Sequence, residues 1–329
     1  MHRIIEEYMS LMQDPDFLRF RNELSRGVYE ALGRGYAGSD NEVGLVTKMV
    51  EATNGKTYRN IRIVSEKIHG AKSYVQFAYR GSSVTKELGD MLVISVVSKG
   101  RERLLQKLCI IQNKVLRKGV TKIDEEQLFL LKNFPPFSAS QGIYAGASDV
   151  MMFNRSKCLG AYIFFDWPGE ASYLTAKYLS QVLGGKTSFK RDLFAHLPPS
   201  ESAEAGNALG APMGFPWLWG DPLMLEELLY RFRKPGYWPL FSGQALSPLS
   251  SGGQFLDVHD FINAWLTLGV GELTSFLGNT LDPTADTLAI NTMRAVGMSN
   301  ILNLEGENVD SFNQNDMAVL VLHIDIANR

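Results

Sequence analysis

The sequence predicts an α/β protein: a mixed sheet flanked by helices, with an additional mixed C-terminal region. Three observations predict it. Apolar residues near the start recur at helical spacing, Ile4, Ile5, Tyr8, Leu11 and Met12, then Phe17, Phe20, Leu24, Val28 and Leu32. Two continuous apolar runs, 91–97 and 104–111, flank the charged segment Lys99-Gly100-Arg101-Glu102-Arg103, as the arms of a β-hairpin flank its tip. Beyond them, helical and strand-like runs alternate as far as 317–326.

The elements follow in order. Residues 1–37 predict helix, with Gly33, Gly35 and Gly38 expected to stop the run. Ser39-Asp40-Asn41 opens a second helix carrying Val43, Leu45, Val46, Met49 and Val50, and Asn54-Gly55 ends it. Residues 61–64 and 74–79 read as extended chain, with Gly70 at a turn between them. The hairpin comes next, with 104–106 read as part of its second strand and loop allowed there. Residues 124–132 predict a short helix capped by Asp124 and broken at Phe134-Pro135-Pro136-Phe137. Strand-like runs lie within 143–165, above all 159–165, and 173–183 predicts a helix closed by Gly184-Gly185. The stretch 197–256 is rich in Pro, Gly and Ser, with a helix expected near 222–232. Residues 257–268 and 284–296 read as helices and 317–326 as a last strand. Three regions result: 1–195, a connecting region 196–256, and a C-terminal region 257–329. No internal repeat or low-complexity tract is visible.

Composition excludes several classes. With 45% hydrophobic and 21% charged residues, the 329-residue chain is neither disordered nor collagen-like. A net charge of −2 removes any overall basic balance, so contact with a polyanion needs a local patch. Cys109 and Cys158 are the two cysteines, and neither has a neighbour at metal-ligand spacing. Cys109 sits in an apolar run and reads as a buried thiol, so a reducing, cytoplasmic location is expected. Residues 1–20 mix Arg3, Glu6, Glu7, Asp14 and Asp16 with apolar residues, unlike a signal peptide. No run reaches the roughly 18 apolar residues of a membrane span.

The chemistry-bearing segment is Glu87-Leu88-Gly89-Asp90-Met91-Leu92-Val93-Ile94, followed by Cys109-Ile110-Ile111-Gln112-Asn113-Lys114. An aspartate starts one apolar strand and a Gln-x-Lys ends the next. Strand side chains alternate, so Gln112 and Lys114 share a face with Leu108 and Ile110, while Asp90 shares one with Leu92 and Ile94. Pairing these strands brings a carboxylate, an amide and an ammonium together. Such a cluster is costly unless its members satisfy one another or a ligand.

This order resembles the PD-(D/E)XK nuclease superfamily, in the variant where glutamine replaces the second acid. The family pattern is an acid on an early helix, an acid at a strand, then (D/E/Q)-x-Lys on the adjacent strand. The matching positions are Glu42, Asp90, Gln112 and Lys114, and the likeness covers roughly residues 39–120. The resemblance implies a restriction-endonuclease-like fold for 1–195 and a Mg2+-dependent nuclease, with Mn2+ as substitute, hydrolysing phosphodiester bonds in DNA. Restriction or anti-phage defence is the setting it suggests. It implies Asp90, Gln112 and Glu42 as metal ligands, helped by a backbone oxygen of Ile111 or Asn113, and Lys114 as the group that orients or deprotonates water. Glu42 also completes a capping box, Ser39-Asp40-Asn41-Glu42, in which it only reaches back to the cap. Glu51, Glu66 and Glu87 are its substitutes. The competing expectation is a nuclease-like fold that binds nucleic acid or protein without cutting.

A basic patch adds to this. Between Lys99 and Lys122 lie Arg101, Arg103, Lys107, Lys114, Arg117 and Lys118, with Glu102 the one acid among them. Arg101, Arg103, Lys107, Arg117 and Lys118 are expected to follow a phosphate backbone next to the site. A solvated hairpin is the plainer account.

Other signals carry less. Gly184-Gly185-Lys186-Thr187 falls short of a phosphate loop, since Ser180 stands where a glycine is required. His323-Ile324-Asp325 places two ligand types on one strand face, though a surface or core histidine explains it. Trp217, Trp219, Trp238 and Phe241 offer base stacking, or an oligomer or partner-protein surface in the C-terminal half; loop packing is the plainer reading. No Gly-x-Ser-x-Gly elbow is present.

Overall fold

The computed structural model describes residues 14–68, 74–139, 148–155, 157–196, 254–255, 257–298, 302 and 317–326. In chain order the elements are α1 (Pro15–Ala37), α2 (Glu42–Thr53), β1 (Thr57–Tyr58), β2 (Ile61–Ile68), β3 (Tyr74–Tyr79), β4 (Ser82–Glu87), β5 (Met91–Lys99), β6 (Glu102–Val115) and β7 (Val120–Lys122). There follow α3 (Glu125–Asn133), β8 (Phe137–Ala139), β9 (Gly160–Asp166), β10 (Glu170–Thr175), α4 (Ala176–Leu183) and β11 (Ser188–Lys190). The last are β12 (Gln254–Phe255), α5 (Val258–Leu266), β13 (Glu272–Phe276), β14 (Asn279–Thr280), α6 (Pro283–Ala295) and β15 (Met317–Asp325).

The main sheet runs β1-β2-β15-β5-β6-β9-β10-β12 and is mixed: β5 and β6 are antiparallel, β15 is parallel to β5, and β9 is parallel to β6. The predicted α/β class, a mixed sheet flanked by helices, is therefore present. Alternating side chains feed two cores. Met91, Val93, Cys109, Ile111, Ile163 and Phe165 pack under α1, α2 and α5. Leu92, Ile94, Leu108, Ile110, Tyr162 and Phe164 pack under α3, α4 and α6. Each such side chain contributes about 1.5–3 kcal/mol on burial. Burial on both faces explains why β5 and β9 read as unbroken apolar runs.

Local chemistry sets the helix ends. Asp14 caps α1, its carboxylate accepting from Asp16 N–H at 2.8 Å, and Asp124 caps α3 through Glu126 and Gln127 N–H. Of the three glycines expected to stop α1, only Gly38 does. Gly33 and Gly35 lie inside the helix because they are contact points. A Cβ on Gly33 would meet the Pro168 carbonyl at 2.6 Å, and one on Gly35 the Asp40 carboxylate at 2.8 Å.

Two expectations need correction, the start of the helix at 173 and the boundary at 195. The helix expected at 173–183 begins only at Ala176. Tyr173, Leu174 and Thr175 close β10, and the Thr175 hydroxyl caps α4. Residues 104–106 are strand, as the hairpin reading has them, within β6, which is 14 residues long and reaches Val115. The boundary at 195 divides one sheet, since β15 of the C-terminal region lies between β2 and β5, and β13 pairs with the first half of β6. The Gly70 turn, the run 143–147, nearly all of 197–256 and its aromatic group lie outside the described residues.

Candidate functional site

The site forms where β5 begins and β6 ends. The hairpin register sets Met91 opposite Ile111, and the Asp90 N–H donates to the Ile111 carbonyl at 2.9 Å. Gly89 lets the chain enter this close, for a Cβ there would meet Ile110 at 2.7 Å. The Asp90 carboxylate accepts the Asn113 backbone N–H at 2.7 Å and the Gln112 side-chain N–H on the same oxygen. Lys114, two residues on and on the same face, points its ammonium 3.6 Å from the Glu42 carboxylate. The four positions form two contacting pairs, Asp90 with Gln112 and Lys114 with Glu42, near enough for the charges of Lys114 and Glu42 to act on Asp90.

Glu42 is not a capping-box residue. Asn41 is the cap of α2, its side chain accepting Gly44 N–H at 3.0 Å, and Glu42 is the first helical residue. Its carboxylate is free of the capping task and half-exposed toward Lys114. Among its substitutes, Glu51 pairs with Lys48 at the outer surface and Glu66 lies on β2, separated from β5 by β15. Glu87 does stand close enough for its charge to act on Asp90.

Electrostatics single out Asp90. The surrounding protein desolvates its carboxyl and pushes it up to about 7, against the pull of the Asn113 N–H. Glu87 adds to the rise, Lys114 opposes it, and Glu42 adds again. The residue keeps an opening to solvent. It is a crowded, largely buried carboxyl among like charges, and Lys114, whose charge opposes the rise, is itself paired with Glu42.

A hard divalent cation fits this donor set. Mg2+ binds through one or two carboxylates and retains waters, which suits Asp90, the Gln112 carbonyl oxygen and Glu42. The Ile111 carbonyl, expected as a further donor, already accepts the Asp90 N–H. Among the described residues no group of three or more His, Cys, Asp or Glu converges, so a densely chelating site is not formed by them. His323 is buried in the core with its Nε2 2.7 Å from the Ser98 hydroxyl, and burial lowers its pKa.

Two side chains here were not legible in advance. Tyr162 of β9 is the register partner of Gln112, and its hydroxyl is buried without a hydrogen-bond partner. Asn113 carries both amide atoms buried and unpaired on the opposite face of β6. Only the β6–β9 pairing reveals the first, and nothing in the local pattern announces a parallel partner 50 residues away.

The basic patch does not survive as one surface. At roughly 3.3 Å per residue along β6, Arg101 lies roughly 40 Å from Lys114. Arg103 is bound to Asp286 of α6 by two hydrogen bonds, at 3.0 and 2.9 Å. Lys107 is fully buried; its ammonium donates to the Leu268 carbonyl at 2.8 Å, and burial drives its pKa down to about 8. Lys107 is thus withdrawn from any phosphate track, and Arg101 and Arg103 sit at the wrong end. Arg117 and Lys118 remain exposed beside the site. Lys107→Met is expected to lower the melting temperature by roughly 3–6 °C, since the buried carbonyl loses its donor and Glu272 its nearby cation. A thermal melt unchanged within a degree would place this lysine at the surface instead.

No family model, curated protein or solved structure matches the chain. Among the described residues no helix is long and apolar enough to cross a membrane.

Proposed function

We propose that the chain is a divalent-cation-dependent nuclease that hydrolyses phosphodiester bonds in DNA, with restriction or anti-phage defence as its setting. The observation that carries this is the neighbourhood of Asp90, Gln112, Lys114 and Glu42 at one strand end, where Gln112 is buried and Lys114 and Glu42 keep partial exposure. Bound Mg2+ supplies Lewis-acid stabilisation of the charge that builds on the phosphoryl oxygens. The chain's residues do the rest. Asp90 and the Gln112 carbonyl offer hard oxygens from fixed strand positions, so little order is lost on binding. Glu42 holds the Lys114 ammonium beside the reacting phosphate, where Lys114 steadies developing negative charge or orients the attacking water.

A second reading, a nuclease-like module that binds without cutting, draws support from the same ion pair, because Lys114 is engaged by Glu42. Incubation of the chain with plasmid, linear and single-stranded DNA, with Mg2+ or with chelator, separates the two. The nuclease reading expects cleavage that chelator abolishes. Binding that persists in chelator, with no cleavage in Mg2+, favours the module.

A further inference from the structure

The end of the sheet that carries Asp90 and Lys114 also carries an aromatic and basic ledge that the proposed chemistry does not use. Trp167, at the turn between β9 and β10, is 54% exposed. Its ring lies 6.0 Å from that of Tyr36 near the end of α1. The Arg117 guanidinium sits 4.8 Å from the centre of the Tyr36 ring and donates to the Asp40 carbonyl. The Tyr36 hydroxyl donates to the Leu116 carbonyl at 2.5 Å, and the Leu116 N–H to the Phe165 carbonyl at 2.9 Å. Three segments of chain are thereby tied into one rim. That rim starts three residues past Lys114 on one strand and two residues before Glu42 on the helix side. Beyond it, the Arg191 N–H bonds to the Gly119 carbonyl at 2.8 Å and Val120 pairs with Lys190, which sets exposed Lys190 and Arg191 beside exposed Lys118. Asp166 answers Arg191, leaving Lys118 and Lys190 as cations of the ledge.

We propose that this ledge holds single-stranded DNA, with a base stacked on Trp167 and the sugar-phosphate chain running over Arg117, Lys118 and Lys190 into the candidate site. The inference rests on the nuclease reading of that site and names its substrate as an unpaired strand. The physics is the pairing of an open aromatic face with neighbouring cations. Base faces stack on aromatic rings with little regard to sequence, and lysine and arginine neutralise the phosphates between them. In a duplex the base faces are covered by their neighbours, so Trp167 has nothing to stack on there.

The test measures anisotropy of a labelled oligothymidine, a duplex of equal length and an oligouridine, in chelator so that no strand is cut. The parent is expected to bind the single DNA strand most tightly. Trp167→Ala is expected to weaken that binding about 5- to 50-fold while duplex affinity stays within about twofold. Trp167→Phe keeps a ring and is expected to retain most of the affinity, which separates stacking from damage to the fold. Equal binding by parent and Trp167→Ala, equal losses on strand and duplex, or preference for the RNA strand would overturn the proposal. Cleavage in Mg2+ is scored separately. A chain that binds the strand through Trp167 yet cuts nothing overturns the nuclease reading alone. A Trp167→Ala chain that cuts single strands at the parent rate overturns the ledge alone.

Discussion

Asp90→Asn is expected to abolish cleavage and, at about pH 8, to make the protein more stable. The two effects share one cause. In the folded chain the Asp90 carboxyl ionises near 7, against 3.8 when unperturbed. A carboxyl whose folded pKa is raised binds its proton better in the native state. Stability is therefore greatest below the unfolded value and falls as pH rises toward the folded one. Above about pH 7 the ionised side chain costs the fold on the order of 2–4 kcal/mol, an upper range because the residue keeps an opening to water. Asparagine removes that charge while its oxygen still accepts from Asn113 or Gln112. The variant is expected to melt roughly 3–8 °C higher than the parent at about pH 8, with the gap closing toward about pH 4. A chelated sample and a pH series of melts check this. Parallel melting curves for parent and variant across that range would show that Asp90 carries no such penalty.

Lys114→Met is expected to cut less than a hundredth as fast as the parent, on the order of 10²–10⁴ in rate, with little change in stability. The ammonium is paired with Glu42 and close enough for its charge to act on Asp90, and methionine keeps its stem but not its charge. The Lys114–Glu42 pair is spaced at 3.6 Å with Glu42 well exposed, so its loss costs at most about 1 kcal/mol. Single-turnover cleavage beside a thermal melt reads both quantities. A variant that cuts at the parent rate removes Lys114 from the chemistry.

The sequence made some of this legible and hid the rest for physical reasons. Helix caps are local, so Asp124 marks the start of α3 where the structure has it, whereas the Asp14-Pro15 cap of α1 went unread inside the run 1–37. The β5–β6 hairpin is also local, and side-chain alternation was enough to set Asp90 beside Gln112 and Lys114. Long-range pairing is not local. No pattern in 317–325 says that this strand inserts between β2 and β5, because a doubly buried apolar run is the same whichever neighbours it finds. Charge misled for a related reason. Lys107 and Arg103 look solvated in a run of cations, but β6 extends through both, and the buried Glu272 and Asp286 that face them come from residues far along the chain. Glycine misled at α1, where Gly33 and Gly35 serve close packing rather than termination.

On the proposed function, the Asp90 end of the hairpin holds a divalent cation. Titrating Mn2+ into the chain at about pH 8, and following the free ion by its spin-resonance signal, tests this without any substrate. Saturable binding by the parent, competed by Mg2+ and lost in Asp90→Asn, is the predicted result. Equal binding by parent and variant, or none by the parent, would contradict it.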